Sequence, residues 1–212
     1  MNRQLNRQFV RLALGLAALA LSNAPALAHH LMGGRTPATF GEGILSGLAH
    51  PIIGLDHLAA VVAVGCLAAA HRAAVALTIA FVMAMMAGVA LHLHGATVPS
   101  AEILVALTVI ALGALLLSRR QMSTRAALVL FALVGLVHGY ALGESIYGAE
   151  PTPLYAYLLG LAVIQSVVAL VAMMIARIVA ERSTDLSPLR LAGAGIAGIG
   201  VAILMQQVVP AA

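Results

Sequence analysis

His50-Pro51-Ile52-Ile53-Gly54-Leu55-Asp56-His57 stands inside a run, Gly43 to Ala70, that is apolar enough to span a membrane. Its three strongly polar residues, His50, Asp56 and His57, all lie in this one stretch. Ionisable side chains are costly near a bilayer centre, so where they occur they usually mark an ion or substrate pathway. Pro51 and Gly54 are helix breakers placed beside these ligand-type residues, and transporters often bind ions at interrupted helices. The stretch therefore predicts an all-α membrane protein that handles a divalent transition metal.

Composition points the same way. Hydrophobic residues make up 62% of the 212-residue chain and charged residues 8%, and mean hydropathy is +1.05. Soluble domains carry about 25% charged residues. A pI near 10 would suggest nucleic acid in a soluble protein. Here all eleven cations are arginines set near the ends of apolar segments, so the expected partner is the lipid bilayer and no nucleic acid. The single cysteine, Cys66, excludes an intramolecular disulfide framework. No G-x-x-x-x-G-K-[ST] sequence occurs, so the chain carries no P-loop ATPase.

Residues 1–28 read as a cleaved signal peptide. Arg3, Arg7 and Arg11 form a positive start, Leu12 to Leu21 a short apolar core, and Ala26-Leu27-Ala28 a cleavage site. The mature chain, 29–212, would begin with His29-His30 outside the cytoplasm. An uncleaved signal anchor is the competing reading.

Six apolar segments follow, at about 43–70, 73–93, 101–118, 126–143, 154–177 and 189–209, each near the roughly 20 residues a span requires. With the N-terminus outside, the inner loops hold Arg72, Arg119, Arg120, Arg125, Arg177, Arg182 and Arg190, against Arg35 alone outside. That asymmetry obeys the positive-inside rule. It predicts a multi-pass protein of a bacterial-type inner membrane with both mature termini on the periplasmic side. A homo-oligomer is compatible with this reading.

On an unbroken helix His50 and His57 would share a face but stand about 10 Å apart along the axis, too far for two ligands each roughly 2 Å from one ion. Unwinding at Pro51 and Gly54 would shorten the gap; otherwise only Asp56 and His57 would share the metal. The fourth segment carries His138-Gly-Tyr-Ala-Leu-Gly-Glu144. In both motifs a carboxylate follows the histidine by six positions, and a helix breaker follows it by one. Three spans separate them, so they run in opposite directions, as an inverted 3+3 repeat with a site at the repeat interface requires. The expected ligands are His50, Asp56, His57, His138 and Glu144. His29, Glu102, His92 and His94 are candidates for metal capture at the outer surface. Against this, His92 and His94 diverge on a helix and His29 belongs to a chain terminus.

The methionines at 83, 85, 86, 173 and 174 raise Cu(I), although methionine is also ordinary apolar filling. Gln165, alone among apolar neighbours, is expected to face the bundle interior. Gly193, Gly195, Gly198 and Gly200 suit close helix packing.

With these motifs the chain resembles the HupE/UreJ family of hydrogenase and urease accessory membrane proteins. The resemblance rests on His50-Pro-x-x-Gly-x-Asp-His57 with Leu58-Ala-Ala-Val-Val-Ala-Val-Gly65, on Pro99-x-x-Glu102, and on the His138 to Glu144 spacing. The signal peptide and a mature start at His29 also look like the family. The resemblance implies a six-span permease that takes up Ni²⁺ or Co²⁺ for metalloenzymes. The metal is then a transported substrate, with no prosthetic group and no enzymatic activity. It also shows two departures, Leu142 and Gln165, at positions where family members often carry histidine.

Other functions compete. An intramembrane zinc metallohydrolase would need an activated water and a general base, and there is no H-E-x-x-H helix. A haem carrier with His50 and His138 as axial ligands, and a metal-binding protein or sensor that does not transport, complete the alternatives.

Overall fold

Pro51 has no amide hydrogen, so it removes one rung from the first span and crowds the carbonyl four residues earlier. Two residues on, the helix ends. The computed structural model describes residues 35–118, 120–182 and 187–209; the signal-peptide reading and His29 fall outside them. α1, Phe40–Ile53, starts on a capping box in which the Thr39 hydroxyl accepts from Glu42 N and the Glu42 carboxylate accepts from Thr39 N. It stops at Gly54, whose φ of −73° and ψ of 98° are extended. α2, Leu55–Ala68, then sets off at 77° to α1.

The remaining spans follow in order. They are α3 (Ala74–Leu93), α4 (Ala101–Ser118), α5 (Thr124–Gly143), α6 (Pro151–Arg182) and α7 (Ser187–Val208), with a 3₁₀ turn at Glu144–Ile146 after α5. Among the described residues there is no strand. Five helices are long and apolar enough to cross a membrane, or six if α1 and α2 count as one bent span. The expected segments are thus all helical. The first is broken, and the fifth runs longer than expected, to Arg182.

Small residues on α2 let its neighbours close in. Ala59, Ala60, Ala63, Val64 and Ala68 are buried, and α2 touches every other helix. Around this hub the spans pair: α3 lies along α5, α4 along α7, and α1 with α2 along α6. Close approach of small residues is the usual device of membrane helix packing. Beyond the last turn of α2, Arg177 of α6 donates to the carbonyls of Ala69 and His71 at 3.5 and 3.3 Å, as cations commonly do at a helix C-terminus.

The outer surface of the bundle is apolar. Leu45, Ile79, Met83, Leu107, Val129, Leu133, Val163 and Val171 are all exposed. Soluble monomers rarely show apolar patches on this scale, whereas lipid is their natural solvent. The protein is a multi-pass membrane protein. Met85 is enclosed while Met83, two residues away, faces outward, so these two methionines do not share a site.

Candidate metal centre

The break at Gly54 brings the first-motif side chains inward. His50 closes the last turn of α1, while Asp56 and His57 open α2, and all three are buried. A Cβ on Gly54 would stand 3.0 Å from His57 Cδ2 and 3.1 Å from Asp56 Oδ1, so the glycine makes room for both to fold back against it. The carboxylate of Asp56 accepts from the His57 amide at 2.8 Å at a helix N-terminus, where the peptide dipoles favour negative charge.

His138 of α5 has no exposed surface and meets this cluster directly. Its Nδ1 lies 2.9 Å from Nδ1 of His57, and the two rings stand edge to face with centroids 5.1 Å apart. The His50 and His57 centroids are 6.0 Å apart. That is shorter than the roughly 10 Å axial separation of seven residues on an unbroken helix, in keeping with the 77° bend between α1 and α2. Metal–nitrogen bonds of about 2.0–2.1 Å place adjacent ligand nitrogens roughly 3 Å apart. The 2.9 Å spacing of the His57 and His138 nitrogens therefore suits two ligands on one ion as well as a hydrogen bond. Among the described residues no three His, Cys, Asp or Glu side chains converge tightly enough to hold an ion together. The cluster is a neighbourhood of donors rather than a preformed coordination sphere.

Two residues not singled out from sequence complete it. The Thr108 hydroxyl of α4 lies 2.9 Å from His138 Nε2 and donates to the Val105 carbonyl at 2.7 Å. Tyr157 of α6, fully buried, sets its ring edge-on to His50 at 6.4 Å, and its hydroxyl donates to the Leu142 carbonyl at 2.9 Å. Neither had a sequence signal: a threonine or tyrosine in an apolar span is unremarkable until another helix arrives.

Gln165 lies on the buried stripe of α6 between Leu161 and Ala169. Leu161 packs at Gly47 of α1 and Ala169 at Gly65 of α2, so Gln165 faces the level of the break. Its Oε1 and Nε2 are both buried without a hydrogen-bond partner. Buried amides are almost always satisfied, by protein, water or ion.

The other expected ligands lie elsewhere. Glu144 is exposed in the 3₁₀ turn beyond α5, outside the buried cluster. Glu102 is exposed in the first turn of α4. The His92 ring packs against Tyr140 and Tyr147, with centroids 4.7 and 5.7 Å away, and its Nδ1 is buried without a partner. His94 is exposed, and its Nδ1 donates to the Ala90 carbonyl at 2.7 Å. These two histidines therefore serve separate surroundings. A cavity of about 180 Å³ opens near the arginine-bearing α4–α5 loop, lined by residues that include Cys66, His71, Arg120, Gln121 and Met122.

Residues 16–203 match the model of the family described as HupE / UreJ protein. The chain is also similar to Protein HupE of Rhizobium leguminosarum bv. viciae, 36% identical over 138 residues, which is 64% of this chain and 68% of that relative. No solved structure matches it.

Proposed function

The chain belongs to the HupE/UreJ family, and from that premise we propose that it is a permease carrying Ni²⁺ or Co²⁺ inward across a bacterial inner membrane to supply metalloenzymes. The single observation that supports this most is the buried His50, Asp56, His57 and His138 cluster, set where a span is broken at Gly54. Imidazole nitrogens with one carboxylate suit borderline divalent metals. Loose convergence suits transport, because binding has to be reversible on the far side.

In this reading His57 and His138 are central ligands, with Asp56 and His50 joining as the ion sheds water. Glu144 and Glu102, with His92, His94 and His29, act earlier, as attraction and capture on the outer side. The cavity beside Cys66 and His71 lies nine residues along α2 from His57, roughly 13 Å at the α-helical rise, and serves as the inner exit. The signal peptide is cleaved after Ala28, and both mature termini are periplasmic.

An inverted 3+3 repeat gives such a path its alternating access. Exchanging spans one, two and three with four, five and six turns the α1–α6 pair into the α5–α3 pair and leaves the α4–α7 pair unchanged, which is the pairing found. Gly47 and Gly135 each precede a cluster histidine by three residues. Gly47 abuts the Tyr157 carbonyl and Leu161 amide, and Gly135 abuts the Phe81 carbonyl and Met85 amide. These equivalences support the repeat.

Uptake of radiolabelled Ni²⁺ and Co²⁺ into cells expressing the intact protein, against His57→Ala at matched membrane levels, tests the proposal. Uptake of one metal that disappears in the variant is the expected result. Equal background accumulation in both sinks it.

A further inference from the structure

Three hydrogen bonds in series run from α2 through α5 to α4, and their proton positions follow from one another. The contact between Thr108 Oγ1 and the Val105 carbonyl, 2.7 Å, has one possible direction, since a carbonyl only accepts. It uses the only proton of the hydroxyl. Thr108 Oγ1 must then accept across its 2.9 Å contact with His138 Nε2, which places a proton on that nitrogen. In the tautomer this selects, His138 Nδ1, the nitrogen turned toward α2, is bare and accepts at 2.9 Å from Nδ1 of His57.

The hydrogen bond made by one ring nitrogen sets which other nitrogen binds metal. We infer that Thr108 is a positioning residue for the metal path: through the Val105 carbonyl it fixes the tautomer of His138 and so sets which of its nitrogens can turn a lone pair toward α2 and the ion. The inference rests on the transport reading for its consequence but not for its geometry. Thr108 holds His138 with an unprotonated Nδ1 facing α2, where His57 donates to it. An arriving cation takes that lone pair by displacing the His57 N–H, with no prior proton shift on His138. Without the hydroxyl, the His138 proton is free to move to Nδ1, which would block the face turned toward His57.

Thr108→Val keeps the shape and removes the hydroxyl, while Thr108→Ser restores the hydroxyl and removes a methyl. The first measurement is the ¹⁵N spectrum of imidazole-labelled, metal-free protein in lipid, with His138→Asn used to assign the His138 signals. Wild type and the Ser variant are expected to show protonated Nε2 on His138, and the Val variant a mixture. The second is Ni²⁺ and Co²⁺ uptake, where the Val variant is expected to raise KM about tenfold or more, the scale on which outer-shell partners act. The Ser variant is expected to stay near wild type in KM and thermal midpoint, while the Val variant also loses some thermal stability because the buried His138 N–H is left unpaired. An unchanged tautomer and KM in the Val variant overturns the inference while leaving transport intact. A Ser variant as impaired as Val overturns it too, because shape rather than the hydroxyl would then matter. A tautomer change in a protein that moves neither metal upholds the role of Thr108 and defeats the permease reading instead.

Discussion

His57 and His138, 81 residues apart in sequence, meet nitrogen to nitrogen at 2.9 Å where α2 crosses α5. Neither ring has another route to a partner at that nitrogen, so each depends on the other. Removing either ring leaves its neighbour with a buried, unsatisfied nitrogen, a loss of about 1–3 kcal/mol. His57→Ala and His138→Ala are each expected to abolish most Ni²⁺ or Co²⁺ uptake, and the double variant to be no worse than either single. Initial uptake rates with thermal midpoints for all three measure this coupling; additive losses would mean that the rings act separately.

Gln165 offers a test in which stability and function should move apart. Its amide is fully enclosed with both polar atoms unpartnered. Gln165→Leu keeps the approximate volume and removes both atoms, so it is expected to raise the thermal midpoint by the equivalent of about 1 kcal/mol or more. If the amide holds water or a partly hydrated cation on the path, uptake falls in the same variant. A lower midpoint would show that the amide is satisfied in the membrane.

The glycine contacts make a paired prediction. A Cβ on Gly47 would run into the Tyr157 carbonyl, and one on Gly135 would lie 2.6 Å from the Phe81 carbonyl, both rigid backbone, whereas Gly195 and Gly198 have open space around them. Gly47→Ala and Gly135→Ala are expected to cost about 1–3 kcal/mol each, the usual range for overpacking. Gly195→Ala and Gly198→Ala should be neutral or slightly stabilising, since alanine is the better helix former. Detergent-solubilised thermal midpoints discriminate the two pairs.

The spans were legible in the sequence because runs of about 20 apolar residues have few other uses. The break was legible because Pro51 and Gly54 fall three residues apart beside ligand-type side chains. The second motif was harder to read. His50 and Asp56 are brought close by a chain that bends between them, but α5 runs unbroken from His138 to Gly143. Six residues of straight helix carry Glu144 roughly 9 Å along the axis and out to the surface. Gly139, which looked like a breaker, is instead the point where Met85 approaches α5. Thr108 could not have been found at all. A threonine in a helix ordinarily bonds a carbonyl one turn back, as this one does, and its second partner is supplied by tertiary packing from 30 residues away.

Cys66 is the only cysteine in the chain, so the natural protein already carries a single reporter for the proposed inner exit. Its thiol lines the cavity shared with His71, Arg120 and Met122, and its one hydrogen-bond contact is a weak 3.9 Å approach to the Ala172 carbonyl. If spans run as the arginine distribution requires, this cavity opens to the cytoplasm. A small charged thiol reagent should then label Cys66 in inside-out vesicles several-fold faster than in right-side-out vesicles. Ions passing from the His57 and His138 pair toward this cavity would compete with the reagent, so Ni²⁺ or Co²⁺ is expected to slow labelling from the inner side. Cys66→Ser provides the blank. Faster labelling from the outer side would reverse the topology. Labelling from the inner side that metal leaves unchanged would remove the cavity from the path while leaving the helix arrangement untouched.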